Sequence, residues 1–269
     1  MMSQIMSADV KPILEVHDLE KTFGSLVAAR DISVSVPAQQ TVGVIGANGA
    51  GKTTFINMIT GHLTPSKGSI RFEDQDITGR PSREITRLGI SRSFQVAQIF
   101  PTLTVFENMC IAAAIARRKP GMFGSIATPV RSEAATAEAE TAIELFQIGR
   151  YRDVTANALP QGVRKLLDIG MAVTGSPRLL LLDEPTSGIS IEEKFDLMNV
   201  VMSALKTRQI TVLFVEHDME IVAQFADRVL AFYDGTVIAD GTAHQTLDNP
   251  RVQELISGVR LKAPGGAHA

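Results

Sequence analysis

The chain has 269 residues, 45% hydrophobic and 20% charged, with a formal net charge of −3. That composition is ordinary for a globular protein with a large core, and the charge gives no electrostatic case for a nucleic-acid partner. The single cysteine, Cys110, excludes an internal disulfide and suits a reducing compartment.

Residues 1–10 read as a loose leader and 263–269 as a flexible tail. The start shows no basic region followed by a long apolar stretch, so a secretory signal is not expected. Residues 13–21 and 26–36 alternate apolar and polar side chains, the period-2 pattern of antiparallel strands. Residues 41–45 form an apolar run that reads as a core strand. It feeds a glycine-rich stretch, and a helix-like segment then continues to about Thr60-Gly61. A strand is expected at 69–72, a short helix at 84–88, and a strand at 89–95 running into a loop.

Residues 105–116 have helical period, and 132–146 are rich in Ala and Glu, a composition of high helix propensity. Between them, 119–130 hold Pro120, Gly121, Gly124 and Pro129 and read as an irregular connection. Residues 94–159 thus read as a helical insert in an α/β domain. Cys110 lies in the apolar run 109–116 and is expected in the core; that run is far short of the roughly 20 apolar residues a membrane span needs. The basic cluster Arg117-Arg118-Lys119 has a plain explanation as a helix C-terminus charged to suit its dipole.

Residues 179–182 and 210–215 are continuous apolar runs, as in parallel strands buried on both faces. Residues 191–205 and 219–225 read as helices covering that sheet. Residues 229–233 and 236–239, joined by Asp234-Gly235, read as a hairpin. The whole reads as one domain over 11–258, without an internal repeat.

The glycine-rich stretch is Gly46-Ala47-Asn48-Gly49-Ala50-Gly51-Lys52-Thr53-Thr54. It fits the phosphate-loop pattern G-x-x-x-x-G-K-[ST], and its place between a strand and a helix is the context that gives the pattern weight. The glycines let backbone N–H groups wrap around phosphate, and the following helix adds the positive end of its dipole. Lys52 is placed to reach the β- and γ-phosphates and the Thr53 hydroxyl to hold Mg²⁺. The alternative is a glycine-rich turn without a ligand.

Residues 178–184 read Arg-Leu-Leu-Leu-Leu-Asp-Glu, a hydrophobic strand ending in two carboxylates. Open parallel sheets bind ligands at the carboxyl ends of their strands, so Asp183 is expected at the same edge as the phosphate loop, holding Mg²⁺ directly or through water. Glu184 is placed to activate a water for attack on the γ-phosphate; its other reading is a cap on the next helix. In Phe214-Val215-Glu216-His217-Asp218 a histidine follows another core strand. It is either structural or, at that edge, a γ-phosphate contact.

These elements, in this order, resemble the ATPase subunit of an ATP-binding-cassette (ABC) transporter over roughly residues 14–258. The resemblance implies an α/β P-loop NTPase fold of the ABC nucleotide-binding type, with an antiparallel β subdomain and a helical subdomain at about 96–160. It implies ATP hydrolysis with ATP and Mg²⁺ bound. By the same resemblance Phe23 stacks on adenine (or merely packs the hairpin), Gln95 in Arg92-Ser93-Phe94-Gln95 senses Mg²⁺ and contacts the membrane subunits, Asp183 and Glu184 are the metal and catalytic carboxylates, and His217 is the switch histidine.

Arg92-Ser93-Phe94-Gln95, the stretch 100–108, the insert around Gly121-Met122-Phe123 and the ending around 248–252 look like the branched-chain amino acid importers. Relatives of that group import other small organic solutes, and a lipopolysaccharide-export ATPase is a more distant relative. An importer implies two integral permease subunits, an extracytoplasmic solute-binding protein, and a peripheral place on the cytoplasmic face of the inner membrane.

Two positions depart from the family pattern. The signature Leu-Ser-Gly-Gly-Gln falls on Leu159-Pro160-Gln161-Gly162-Val163, so Pro160 replaces the serine that would bind γ-phosphate while Gly162 remains. Proline is tolerated in the first turn of a helix, so the helix end is expected to survive. The D-loop Asp is Ser190. Family members pair head to tail, and a complete phosphate side beside an altered signature implies a heterodimer with a second, different ATPase. The altered signature also leaves open a low-turnover regulatory subunit.

Overall fold

The computed structural model describes residues 11–93, 99–117 and 132–256. In chain order the main elements are β1 (Pro12–Phe23), β2 (Leu26–Pro37), β3 (Thr41–Gly46), α1 (Lys52–Ile59), β4 (Lys67–Phe72), β5 (Gln75–Asp76), α2 (Ser82–Arg87), β6 (Ile90–Ser93), α3 (Val105–Ala116) and α4 (Glu133–Leu145). They continue with α5 (Gln161–Val173), β7 (Leu179–Asp183), α6 (Ile191–Thr207), β8 (Thr211–Val215), α7 (Met219–Phe225), β9 (Arg228–Tyr233), β10 (Thr236–Thr242), α8 (Ala243–Leu247) and α9 (Pro250–Leu255). The described residues group into two compact units, 11–85 with 227–256, and those between 86 and 226.

In the first unit β1 and β2 pair antiparallel, with β4 on the other side of β1 and β5 beyond it. The alternation expected over β1 buries Leu14, Val16 and Leu19; that over β2 buries Ile32, Val34 and Val36. β3 runs parallel to β9, and β9 turns back into β10. Asp234 (φ 47°) and Gly235 (φ 75°) are both left-handed, as a type I′ hairpin turn requires. Helix α1 packs on β3 and β2, and its Phe55 meets Phe232 of β9 with ring centroids 5.3 Å apart.

The second unit holds the parallel strands β6, β7 and β8 with β7 in the middle, and Leu179, Leu180, Leu181 and Leu182 are all buried. Helices α3, α4 and α5 pack together, with Cys110 in the core as expected. Thr104 and Glu107 form a capping box at the start of α3, each side chain taking the other's backbone N–H. Ser132 caps α4, accepting from Ala135 N–H.

Most predicted elements match within one or two residues. The strand expected at 89–95 is described only for Ile90–Ser93; Phe94 and Gln95 lie outside the described residues, as do the leader, the 119–130 connection and the tail. Helices α8 and α9 are additions. Each is too short for a hydrophobic period, but each carries a start signal, the capping box of Thr242 and Gln245 and the Asn249 cap before Pro250.

Buried Asn108 shapes the approach to α3. Its amide oxygen accepts from Phe100 N–H at 2.8 Å, and its amide nitrogen donates to Phe100 O at 3.1 Å and Thr104 O at 2.9 Å. Asn108→Ala would take away the partner of Phe100 N–H, while Phe100 O and Thr104 O keep the N–H groups of Leu103 and Asn108. It is expected to cost about 1–2 kcal/mol, read as a lower thermal midpoint, while Asn108→Asp should recover part of the loss.

Candidate functional site

The phosphate-loop residues lie in the first unit, on the turn from β3 into α1. Ala47, Asn48 and Gly49 are exposed, Ala50 is buried, and Thr53 is exposed at the head of the helix. Gly51 stands at the cap with φ 99° and offers no side-chain bond to the first turn, the kind of helix end that attracts an anion. The glycines are demanded by the surroundings. A Cβ on Gly46 would sit 2.5 Å from Phe232 O, and one on Gly51 2.8 Å from Ala28 O. Gly235 N–H donates to Ala50 O at 3.1 Å and Arg30 N–H to Gly235 O at 2.8 Å, so the β9–β10 turn and β2 brace the loop from behind. Lys52 is 6% exposed, and its ammonium donates to Gly46 O at 2.6 Å and Ala47 O at 3.1 Å, which places that charge inside the curl of the loop.

Phe23 closes β1 in the same unit, with 49% of its surface exposed. The hairpin does not bury its ring. The Lys21 ammonium lies 5.1 Å from the ring centroid.

In the second unit, Asp183 ends β7 and His217 lies two residues past the end of β8, on neighbouring strands in parallel register. Glu184 and His217 meet: Glu184 Oε1 and His217 Nε2 are 3.0 Å apart. Glu184 takes a left-handed backbone (φ 49°), which turns its carboxylate out of the strand direction. The alternative reading of Glu184 as a helix cap does not hold, because α6 begins at Ile191 with Ser190 as its cap.

Three nearby charged groups had no role in the sequence reading. Arg92, at the end of β6, donates to Asp183 Oδ2 at 2.5 Å with both side chains largely buried. Lys165 of α5 donates to Glu184 O at 3.4 Å; burial pushes its ammonium down, opposed by the carboxylates of Asp168, Glu216, Glu184 and Asp183. Lys194 pairs with Asp218 at 2.8 Å, and that bond, together with the amides of Ile221 and Glu220, holds Asp218 below the usual carboxylate range. Glu216 could have been suspected as a charge that directly follows the apolar run of β8.

The signature region also lies in the second unit. Pro160 stands at the cap of α5, one position before the first turn in which the sequence placed it. Its missing N–H therefore removes no bond from the helix. The α5 start has no side-chain cap, and a Cβ on Gly162 would meet only Leu197 Cδ1, at 4.0 Å. Gln161 folds against the D-loop; its Nε2 occupies the space a Cβ on Gly188 would need. Ser190 Oγ donates to Glu193 Oε2 at 3.2 Å. Gln95 and the insert around Gly121-Met122-Phe123 lie outside the described residues.

Among the described residues there is no cluster of three or more His, Cys, Asp or Glu side chains able to hold a metal by themselves. Among the described residues no helix is long and apolar enough to cross a membrane.

The family model for ABC transporters matches residues 29–187. The high-affinity branched-chain amino acid transport ATP-binding protein BraF of Pseudomonas aeruginosa is 36% identical over 92% of this chain and 98% of its own. Its counterpart LivG of Escherichia coli K12 is 34% identical over 90% and 96%. A nucleotide-free ATP-binding cassette from an ABC transporter superposes with a TM-score of 0.80 at 32% identity, covering 91% of this chain and 98% of that one. A cassette in its ADP conformation superposes equally well, at 0.80 and 32%. The expected fold class is borne out by these neighbours. With its phosphate loop on β3–α1 and relatives at this identity along nearly its whole length, the chain belongs to the ABC transporter family, as a nucleotide-binding ATPase whose hydrolysis of ATP is coupled to transport.

Proposed function

We propose that this chain is the ATP-hydrolysing subunit of an importer for branched-chain amino acids or a related small polar solute, working peripherally on the cytoplasmic face of the inner membrane. The substrate reading rests on the names of the relatives. The mechanistic reading rests on one contact, the 3.0 Å approach of Glu184 to His217 beside Asp183 at the strand ends.

In this reading the backbone N–H groups of Gly46, Asn48, Gly49, Ala50, Gly51, Lys52, Thr53 and Thr54 bind the phosphates and Lys52 neutralises their charge. Its present carbonyl partners are exchanged for phosphate oxygens. Phe23 stacks on the adenine. The Thr53 hydroxyl and Asp183, with Gln95, hold Mg²⁺, directly or through water. Held by these residues, Mg²⁺ would supply positive charge against the charge that develops on the phosphate oxygens. Glu184 accepts the hydrogen of the attacking water, and His217, bonded to Glu184, orients that carboxylate and contacts the γ-phosphate. The rest of the catalysis is positioning and charge stabilisation, as phosphoryl transfer requires.

The α5 start with Gly162 is the surface offered to the ATP of a neighbouring cassette. Pro160 brings no hydroxyl there, so the partner is a second, different ATPase with an intact signature of its own, and the two sites turn over unequally. Two permease subunits and a solute-binding protein complete the system.

Tagging the chain in its native membranes and isolating it in mild detergent should bring down two integral subunits and a second ATPase. Recovery with soluble partners only would overturn the transporter assignment to an importer. Within the isolated complex, Glu184→Gln should lower ATP turnover by about 10²- to 10⁴-fold, the usual effect of losing a general base, while Mg·ATP binding persists. Turnover that is already negligible before substitution would instead favour a regulatory, non-hydrolysing role.

A further inference from the structure

Glu216 takes no part in the chemistry above, yet it is only 3% exposed. A carboxylate so buried is costly unless donors surround it. Oε1 accepts from Thr186 N–H at 2.9 Å and from Thr186 Oγ1 at 2.7 Å. Oε2 accepts from the N–H of His217 at 3.1 Å. Thr186 lies two residues past Glu184, so one side chain ties together the loop that carries Glu184 and the loop that carries His217.

The tie falls where the sheet stops. The β7–β8 ladder ends at Asp183 opposite Val215, followed by a single bond from Glu184 N–H to Val215 O at 3.0 Å. There the backbone turns left-handed at Glu184. Past that point the two loops are joined by side chains, the Glu184–His217 pair and the Glu216 carboxylate, which bonds to both loops. Lys165 supplies positive charge nearby, and Glu216 is among the carboxylates that favour its charged form.

We propose that Glu216 is a positioning residue for ATP hydrolysis: by bonding Thr186 and the His217 backbone at once, it holds the Glu184 carboxylate and the His217 imidazole at hydrogen-bonding distance. This rests on the reading of Glu184 and His217 given above. Three donors converge on Glu216, which an ionised carboxylate can serve with two oxygens. A glutamine has one oxygen and must turn its NH₂ toward either Thr186 or His217 N–H. It therefore keeps the volume and breaks the bridge on one side.

The test uses the complex isolated from native membranes as above, with Mg·ATP as the probe. Glu216→Gln is expected to lower kcat by roughly 10- to 100-fold, the scale of a displaced catalytic group, with the KM for ATP within about 2-fold of the parent (uniform binding unchanged). Thr186→Val, which keeps the backbone donor and removes only the hydroxyl, should give a smaller loss of the same kind. The double variant Glu216→Gln/His217→Ala should be no slower than His217→Ala alone, because residues acting as a unit are not additive. Additive losses, an unchanged kcat, or a KM rising in step with a falling kcat would overturn the proposal and leave Glu216 a fold anchor. Thermal melting of each variant separates unfolding from mispositioning; if Glu216→Gln melts early, the Thr186→Val/His217→Ala pair carries the same additivity test. Glu184→Gln, assayed alongside, tests the underlying reading by itself: full activity there refutes the role of Glu184, whereas an inactive Glu184→Gln beside additive Glu216 losses refutes only the bridge.

Discussion

The parallel ladder between β7 and β8 is the constraint on which the catalytic half of the molecule depends. Parallel strands share evenly spaced, slanted bonds, and here the register sets Asp183 opposite Val215. That one pairing decides which residues emerge at the carboxyl edge together. A slip by one residue would part Glu184 from His217 and Thr186 from Glu216. The buried leucines of β7 and the wholly buried β8 resist such a slip, since moving either strand would drag the polar residues beyond its end into the core.

At the end of that ladder, order passes from backbone to side chains. Arg92 satisfies one oxygen of Asp183, Glu216 joins two loops, and Lys194 with Asp218 fixes the start of α7 against α6. Each of these charges is at least partly buried, where an unpaired ion is expensive. The pairs therefore favour one loop geometry over others more than they add net stability. That is the arrangement a carboxylate needs to be aimed at a water.

The phosphate loop meets its requirements in another way. Its shape is enforced by close backbone approach, with Phe232 O and Ala28 O standing where side chains of larger residues would begin. The N–H groups at the head of α1 remain without side-chain caps because Gly51 has nothing to offer them. The helix that starts at Gln161 repeats this economy. Pro160 falls just outside it, so a substitution that removes a hydroxyl and an N–H from the signature leaves the helix end intact.

What the sequence by itself determined was local. The strand–loop–helix around Lys52, the Asp234-Gly235 hairpin, the span of α3 and the Ala- and Glu-rich α4 were all legible, because periodicity, turn chemistry and helix propensity act over a few residues. The family was legible too, through motifs whose order survives in the linear chain. Only the tertiary structure decided the pairings of Arg92 with Asp183, Glu184 with His217 and Glu216 with Thr186. The physical reason lies in the strands themselves. Residues 179–182 and 211–215 are buried on both faces, so they carry no apolar–polar alternation from which a register could be read. Without the register, partners 91, 33 and 30 positions apart in the chain cannot be matched.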